Sequence, residues 1–196
     1  MIKEPDNMAI QIDRIGPDRY SLYSSIPSRF LVESIYRVDE IDHGLGGFRL
    51  VEEKVDMPYL KDYDAGGGDV ISAWAKEFDP ADWGIFLARD GDVPVGGAAV
   101  AINADIYPLD KFQRTDMAVL WDIRIDQKVR GNGIGRKLFL HAADWAKAKG
   151  FGQLGMETQN VNVPACKFYA RMGCRLGAIH RFGYAGCPRS NASLVL

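Results

Sequence analysis

Val119-Leu120-Trp121-Asp122-Ile123-Arg124-Ile125, followed after four residues by Arg130-Gly131-Asn132-Gly133-Ile134-Gly135, is the stretch whose reading decides the fold. The first segment is apolar and alternating, the pattern of a strand. The second opens an amphipathic run from Ile134 to about Lys149, in which Ile134, Leu138, Ala142 and Trp145 recur at helical spacing. Gly150 stands where a helix commonly stops. A strand, a glycine-rich turn and a helix start form a cradle for an anion. The first helical N–H groups have no intrahelical partner, and the helix dipole adds positive character there.

Working outward, Ile10 and Ile12 alternate with polar neighbours and suggest a short first strand. Ser28 to Arg37 fits a helical turn or a short strand. Phe48 to Val55 reads as an edge strand or arm. Gly66-Gly67-Gly68 marks a flexible loop, and Ser72 to Phe78 a helical turn. Gly84 to Ala88 and Val95 to Ile102 read as strands joined by the hairpin signal Asp90-Gly91-Asp92. Beyond the long helix, Leu154 to Thr158 is a strand and Asn162 to Met172 a second helix. Pro164 stands in its first turn and Gly173 after it. Leu176 to Phe182 and Ala192 to Leu196 are final strands. Antiparallel strands thus precede a strand–helix–strand–helix–strand order. That order predicts an α+β (mixed α/β) fold with helices on the faces of a sheet.

The 196 residues, 47% hydrophobic and 26% charged, suit one domain able to bury a core. A net charge of −2 offers no footprint for nucleic acid. No apolar run reaches the roughly 18 residues of a membrane span. Met1 to Asp6 is too polar for a signal peptide. Cys166, Cys174 and Cys187 lack metal-ligand spacing and read as reduced cytosolic thiols in core positions. The expectation is therefore a cytoplasmic protein with no metal, no membrane and no nucleic acid.

Three motifs compete for the glycine-rich turn. A Walker A loop needs Gly-Lys-Ser/Thr, and Arg136 breaks that pattern. The dinucleotide fingerprint needs a third glycine at the same position and fails there too. It also belongs on the first strand–helix unit of a chain, whereas several strands precede this one. The third pattern, Arg/Gln-x-x-Gly-x-Gly/Ala, is met by Arg130 to Gly135. Downstream, Asn162-Val163-Pro164-Ala165-Cys166-Lys167-Phe168-Tyr169-Ala170-Arg171-Met172-Gly173 provides Asn-x-x-Ala-x-x-x-Tyr-x-x-x-Gly. Together the two motifs resemble the GNAT N-acetyltransferase superfamily, most strongly from Asp116 to Gly173. Glu157-Thr158-Gln159-Asn160-Val161-Asn162, Tyr36-Arg37-Val38, Gly47-Phe48-Arg49-Leu50 and Met57-Pro58-Tyr59-Leu60-Lys61 further resemble the streptothricin (nourseothricin) acetyltransferases.

That resemblance implies a single domain over residues 1–196, with a mostly antiparallel twisted sheet of about seven strands flanked by helices. Residues 1–83 would supply acceptor-side elements and residues 84–196 the acetyl-CoA core. The implied reaction is direct attack of an amine on the thioester of acetyl-CoA, a cosubstrate, without metal. Such chemistry needs positioning and an oxyanion donor. By analogy a bulge in the strand from Trp121 to Asp126 exposes backbone N–H groups of the Ile123–Arg124–Ile125 run, with Ile123 and Ile125 as donors. Arg130, Gly131, Asn132, Gly133, Ile134, Gly135 and Arg136 would hold the pyrophosphate, the two arginines by charge. Asn162 and Ala165 would meet the pantetheine arm; as a residue type Asn162 is equally a helix N-cap.

Tyr169 is the candidate acid, because a phenol near pKa ~10 matches a departing alkyl thiolate. An aliphatic amine is only about 0.1% neutral at pH 7, so a carboxylate must draw its proton. Asp122 and Glu157 are the candidates, although Arg124 is placed to neutralise Asp122 as its same-face neighbour. The acidic run Glu52, Glu53, Asp56, Asp62, Asp64 and Asp69 would steer a cationic acceptor, or else is solvated surface. Tyr59, Tyr63, Trp74 and Trp83 line the acceptor pocket or pack as core. The expected partner is a small-molecule amine, of the streptothricin type by resemblance, and a homodimer fits the family analogy. A protein or metabolite amine as acceptor, and a non-catalytic acyl-CoA sensor, remain as alternatives.

Overall fold

The computed structural model describes residues 9–65, 71–102, 115–184 and 193–196. Met1 to Asp6, Gly66 to Gly68, Asp69, Cys187 and Ala192 lie outside the described residues. The chain groups into two compact units, Met1–Ser28 with Tyr63–Leu154, and Arg29–Asp62 with Gly155–Leu196. A boundary between residues 83 and 84 therefore falls inside the first unit.

The first unit is built on strands β1 (Ile10–Arg14), β4 (Gly84–Asp90), β5 (Val93–Ala101), β6 (Met117–Ile125) and β7 (Gln153–Gly155). They form a sheet in the order β1-β4-β5-β6-β7. The pairs β1/β4, β4/β5 and β5/β6 are antiparallel. The described α-helices of this unit are α1 (Tyr20–Ser24), α2 (Ile71–Glu77) and α3 (Ile134–Ala148).

Period-2 alternation explains how β4 serves two layers. Ile85 and Leu87 join a buried cluster with Tyr23, Trp74, Trp83, Ala99 and Val119. Phe86 points the other way, its ring 4.8 Å from His141 and 5.8 Å from Trp145 of α3. Helix α3 buries Ile134, Leu138, Phe139, Ala142 and Ala146. Each of the larger aliphatic side chains contributes about 1.5–3 kcal/mol by leaving water. The adjacent glycines of β5 make both faces approachable. A Cβ on Gly96 would lie 3.0 Å from Leu138 Cδ1, and one on Gly97 would lie 2.4 Å from Tyr23 Cε2. The sheet is therefore thinnest where α3 and Tyr23 press on it from opposite sides.

The second unit holds a long antiparallel hairpin of β2 (Arg29–Glu40) and β3 (Phe48–Asp62). A second group has the order β8-β10-β9, made of β8 (Glu157–Gln159), β9 (Ala178–His180) and β10 (Ser193–Val195). Helix α4 (Val163–Arg171) follows β8.

The mixed α/β architecture, mainly antiparallel with flanking helices, is the expected one. Among the described residues its strands fall into three hydrogen-bonded groups, the largest of five strands. The segment read as a helical turn or short strand, Ser28 to Arg37, is the 12-residue strand β2. Cross-strand pairing with the 15-residue β3 decides that outcome over local propensity. The single strand expected at Leu154 to Thr158 is divided at Met156 into β7 and β8, which belong to different sheets.

Candidate active site

Strand β6 leads into the glycine-rich turn. Its register against β5 shifts between the pairs Ala99–Asp122 and Val100–Leu120, which leaves Trp121 as the extra residue of a bulge. Beyond it, the N–H of Asp126 donates to Val95 O at 3.0 Å. Alternation along an antiparallel strand then turns the N–H groups of Ile123 and Ile125 away from β5.

The turn itself is shaped by main chain. Gly131 and Gly133 take φ of +87° and +77°, and a Cβ on either would meet nothing within 4 Å. Gly133 is the N-cap of α3 and offers no side chain to its first N–H groups. The N-cap therefore supplies no side-chain acceptor to the start of this 15-residue helix, an arrangement that favours an anion. Arg130 Nε donates to Ile125 O at 3.1 Å, and Asn132 Nδ2 to Val129 O at 3.2 Å, so both side chains brace the turn. Arg136 is exposed on the first turn of α3.

Upstream in β6, Asp122 and Arg124 belong to a buried polar cluster. The Arg124 side chain is 0% exposed. Its Nε donates to Asp122 Oδ2 at 2.6 Å, and its Nη1 donates to Asp64 Oδ1 and to Ile26 O, each at 3.0 Å. Its guanidinium carbon lies 5.2 Å from the centre of the Tyr23 ring. The Tyr23 hydroxyl donates to Asp122 Oδ2 at 2.5 Å. Burial, then the Asp122 charge, push the Tyr23 hydroxyl well above its usual range, so it stays a donor at all ordinary pH. Arg124 is raised as well: burial opposes its charge, but Asp122, Tyr23 and Asp64 outweigh burial. Asp64 Oδ2 also accepts from the N–H of Ser28 at 2.8 Å. The Arg124 side chain is thus engaged inside the protein, and its main chain is what it presents as a strand residue.

In the second unit, both carboxylate oxygens of Glu157 accept from the Tyr184 hydroxyl, at 3.1 and 3.0 Å. Asn162 caps α4, its Oδ1 accepting from the N–H of Ala165 at 3.2 Å. Tyr169 is buried in α4, its ring centre 5.4 Å from that of Phe168. Cys166 is buried on the same helix, and burial pushes its thiol up to about 11, with the Glu157 charge adding to the shift.

Three of the six carboxylates in the acidic run, Glu52, Glu53 and Asp64, are engaged in ion pairs. Glu52 pairs with Lys167 Nζ at 2.7 Å and accepts from Ser34 Oγ at 2.8 Å, which holds it below the usual carboxylate range. Glu53 pairs with Arg37 and Asp64 with Arg124. Trp74 and Trp83 are core residues, 3% and 1% exposed, and so do not line an open pocket. Tyr23 is the site-forming residue that sequence reasoning missed. The adjacent glycines Gly96 and Gly97 inside a strand were its one trace, since strand glycines often mark a close approach. Among the described residues no group of three or more His, Cys, Asp or Glu side chains gathers as metal ligands. No described helix is long and apolar enough to cross a membrane.

The sequence model of the acetyltransferase (GNAT) family matches residues 48–174. The chain is 40% identical over 139 residues to a streptothricin acetyltransferase of Streptomyces lavendulae, covering 69% of this chain and 67% of that one. Two solved structures share the fold. A nourseothricin acetyltransferase superposes with a TM-score of 0.72 at 24% identity, covering 96% of this chain and 98% of that one. A protein of Bacillus anthracis strain Ames, assigned as a streptothricin acetyltransferase and solved with acetyl coenzyme A, superposes with a TM-score of 0.73 at 22% identity, covering 95% and 97%. The chain therefore belongs to the acetyltransferase (GNAT) family and is an acetyl-CoA-dependent N-acetyltransferase.

Proposed function

We propose that the acceptor is a primary amine of a small cationic molecule, specifically a streptothricin-type antibiotic. The observation that carries this reading is the 40% identity to the Streptomyces lavendulae streptothricin acetyltransferase. The amine nitrogen attacks the thioester carbonyl carbon, the C–S bond breaks, the nitrogen loses a proton, and the CoA thiolate gains one.

In this reading the N–H groups of Ile123 and Ile125 stabilise the oxyanion. Arg130, Arg136 and the N–H groups of residues 131–135 hold the pyrophosphate. Asn162 and Ala165 meet the pantetheine arm. Tyr169 protonates the thiolate, and the carboxylates of Asp122 and Glu157 draw the ammonium and accept its proton. The same reading takes the enzyme as cytoplasmic, acting on a freely diffusing amine and not on nucleic acid or a membrane. A homodimer belongs to it as well, and sedimentation tests that point.

The test is acceptor-dependent thiol release from acetyl-CoA, with mass spectrometry of the acceptor. Streptothricin is expected to be acetylated in preference to lysine peptides and simple metabolite amines. Equal or better turnover with those alternatives would move the acceptor to another class. Tight acetyl-CoA binding with no release for any amine would favour a sensor. Tyr169→Phe should lower kcat by about tenfold or more with little change in acetyl-CoA KM. An unchanged kcat across pH would remove Tyr169 from the mechanism.

A further inference from the structure

We infer that Tyr23 is a positioning residue for catalysis: with Arg124 it locks the Asp122 carboxylate so that Oδ1 anchors the ammonium group of the acceptor. This rests on the N-acetyltransferase reading and deepens it on the acceptor side.

The geometry is one-sided. Two donors converge on Oδ2 of Asp122, the Tyr23 hydroxyl at 2.5 Å and Arg124 Nε at 2.6 Å. Among the described residues, Oδ1 has no hydrogen-bond partner. Two donors on one oxygen fix the plane of the carboxylate, and the other oxygen then has one direction in which to bind. The Asp122 side chain remains 15% exposed while Arg124 is 0% exposed, so the carboxylate is reachable and its counter-charge is not.

The charges point to a cation. Among the described residues, Arg124 is the positive charge paired with both Asp122 and Asp64. Those three side chains together carry a charge of about −1, and an approaching ammonium completes their neutralisation. Tyr23 suits the positioning role because its hydroxyl adds a donor without adding charge.

Tyr23 is itself held. Its ring fills the space that Gly97 leaves on β5, stands edge-on to Trp74 at 6.2 Å, and is fully buried. The chain thus sets a polar donor inside an aromatic core where a phenylalanine would pack as well. Packing alone does not account for the hydroxyl.

The test compares two acceptors on the full-length enzyme. Cadaverine is cationic at neutral pH, and p-anisidine, an arylamine, is uncharged there. Tyr23→Phe keeps the ring and removes one donor from a charged acceptor, so kcat/KM for cadaverine should fall about tenfold. Its kcat/KM for p-anisidine and its KM for acetyl-CoA should stay within about twofold. Asp122→Asn, which removes the carboxylate itself, should lose at least as much kcat/KM for cadaverine. The double variant should be no worse than Asp122→Asn alone, because Tyr23 acts through Asp122.

Equal losses with both amines, or additive losses in the double variant, would overturn the inference and leave Tyr23 a packing residue. Calorimetric titration of cadaverine gives a readout independent of turnover. Weaker binding to Tyr23→Phe than to wild type supports the anchor, and equal binding overturns it. Absence of acetyl transfer by the wild-type protein to any amine would count against the enzymatic reading, and the titration would still decide the anchor.

Discussion

Strand β6 carries one polar element within it and delivers the chain to another beyond its end, and the two are made differently. The Arg130–Gly135 turn is exposed main chain in which two glycines hold positive φ, with no side chain to cap α3. The cluster around Asp122 is buried side chain, gathered from Tyr23, Ile26, Asp64 and Arg124. The first suits a ligand with phosphate, because it offers backbone N–H groups at a helix start beside the Arg130 side chain. The second suits a cation, because its donors are already used and its surplus is carboxylate. In the proposed reading, one strand separates the charge preferences for the two substrates of an acetyl-CoA-dependent enzyme.

The sharpest way to break this comparison is to remove the buried cation. Arg124→Met leaves Asp122 and Asp64 without their shared partner and Ile26 O without its donor. Removing one partner of a buried pair costs roughly 3–5 kcal/mol, and the low end, about 3 kcal/mol, is expected because water reaches both carboxylates. Urea unfolding measures it. A loss below about 1 kcal/mol would show that the cluster is a surface pair in energetic terms.

Gly97→Ala is the next largest. Its Cβ would stand 2.4 Å from Tyr23 Cε2, so the ring must move. Overpacking of this kind costs about 1–3 kcal/mol. It should also raise the cationic acceptor's KM without changing acetyl-CoA affinity, separating the cluster from the turn on one variant. A change confined to acetyl-CoA would reverse the assignment of the two elements.

These two variants also show why the elements differed in legibility. The turn occupies six consecutive residues, and its glycines and following helix period are local signals, so strand, turn and helix all emerged from the sequence. The same holds for α4, where Asn162, Pro164 and Gly173 mark start and stop. The cluster joins residues 23, 26, 64, 122 and 124, which only the tertiary fold brings together. Asp122 and Arg124 were readable as same-face neighbours, and their ion pair was a stated alternative. Tyr23 was not readable, because its role depends on the space left by a glycine 74 positions away in the chain. Strand β2 was likewise misjudged in length, because its extent depends on β3 and not on its own residues.

On the turn, Gly133→Glu should raise the acetyl-CoA dissociation constant about tenfold or more. Calorimetry on Gly133→Ala isolates the backbone contribution, since any side chain at φ +77° is strained while open space surrounds the Cβ. The difference between the two variants is the charge effect. Equal affinities for Gly133→Glu and Gly133→Ala would mean that no anion sits near that helix start.

The smallest expected effect concerns Asn162, where a structural and a ligand role overlap. Its Oδ1 caps α4 by accepting from the N–H of Ala165. Asn162→Ala should cost about 1 kcal/mol of stability, the usual worth of a lost N-cap. Asn162→Asp separates the roles, because aspartate caps as well as asparagine and its charge suits a helix N-terminus. If Asn162 is only a cap, the aspartate restores both stability and acetyl-CoA KM. If its amide also donates to the pantetheine arm, stability returns while acetyl-CoA KM stays raised, since a carboxylate has no N–H to give.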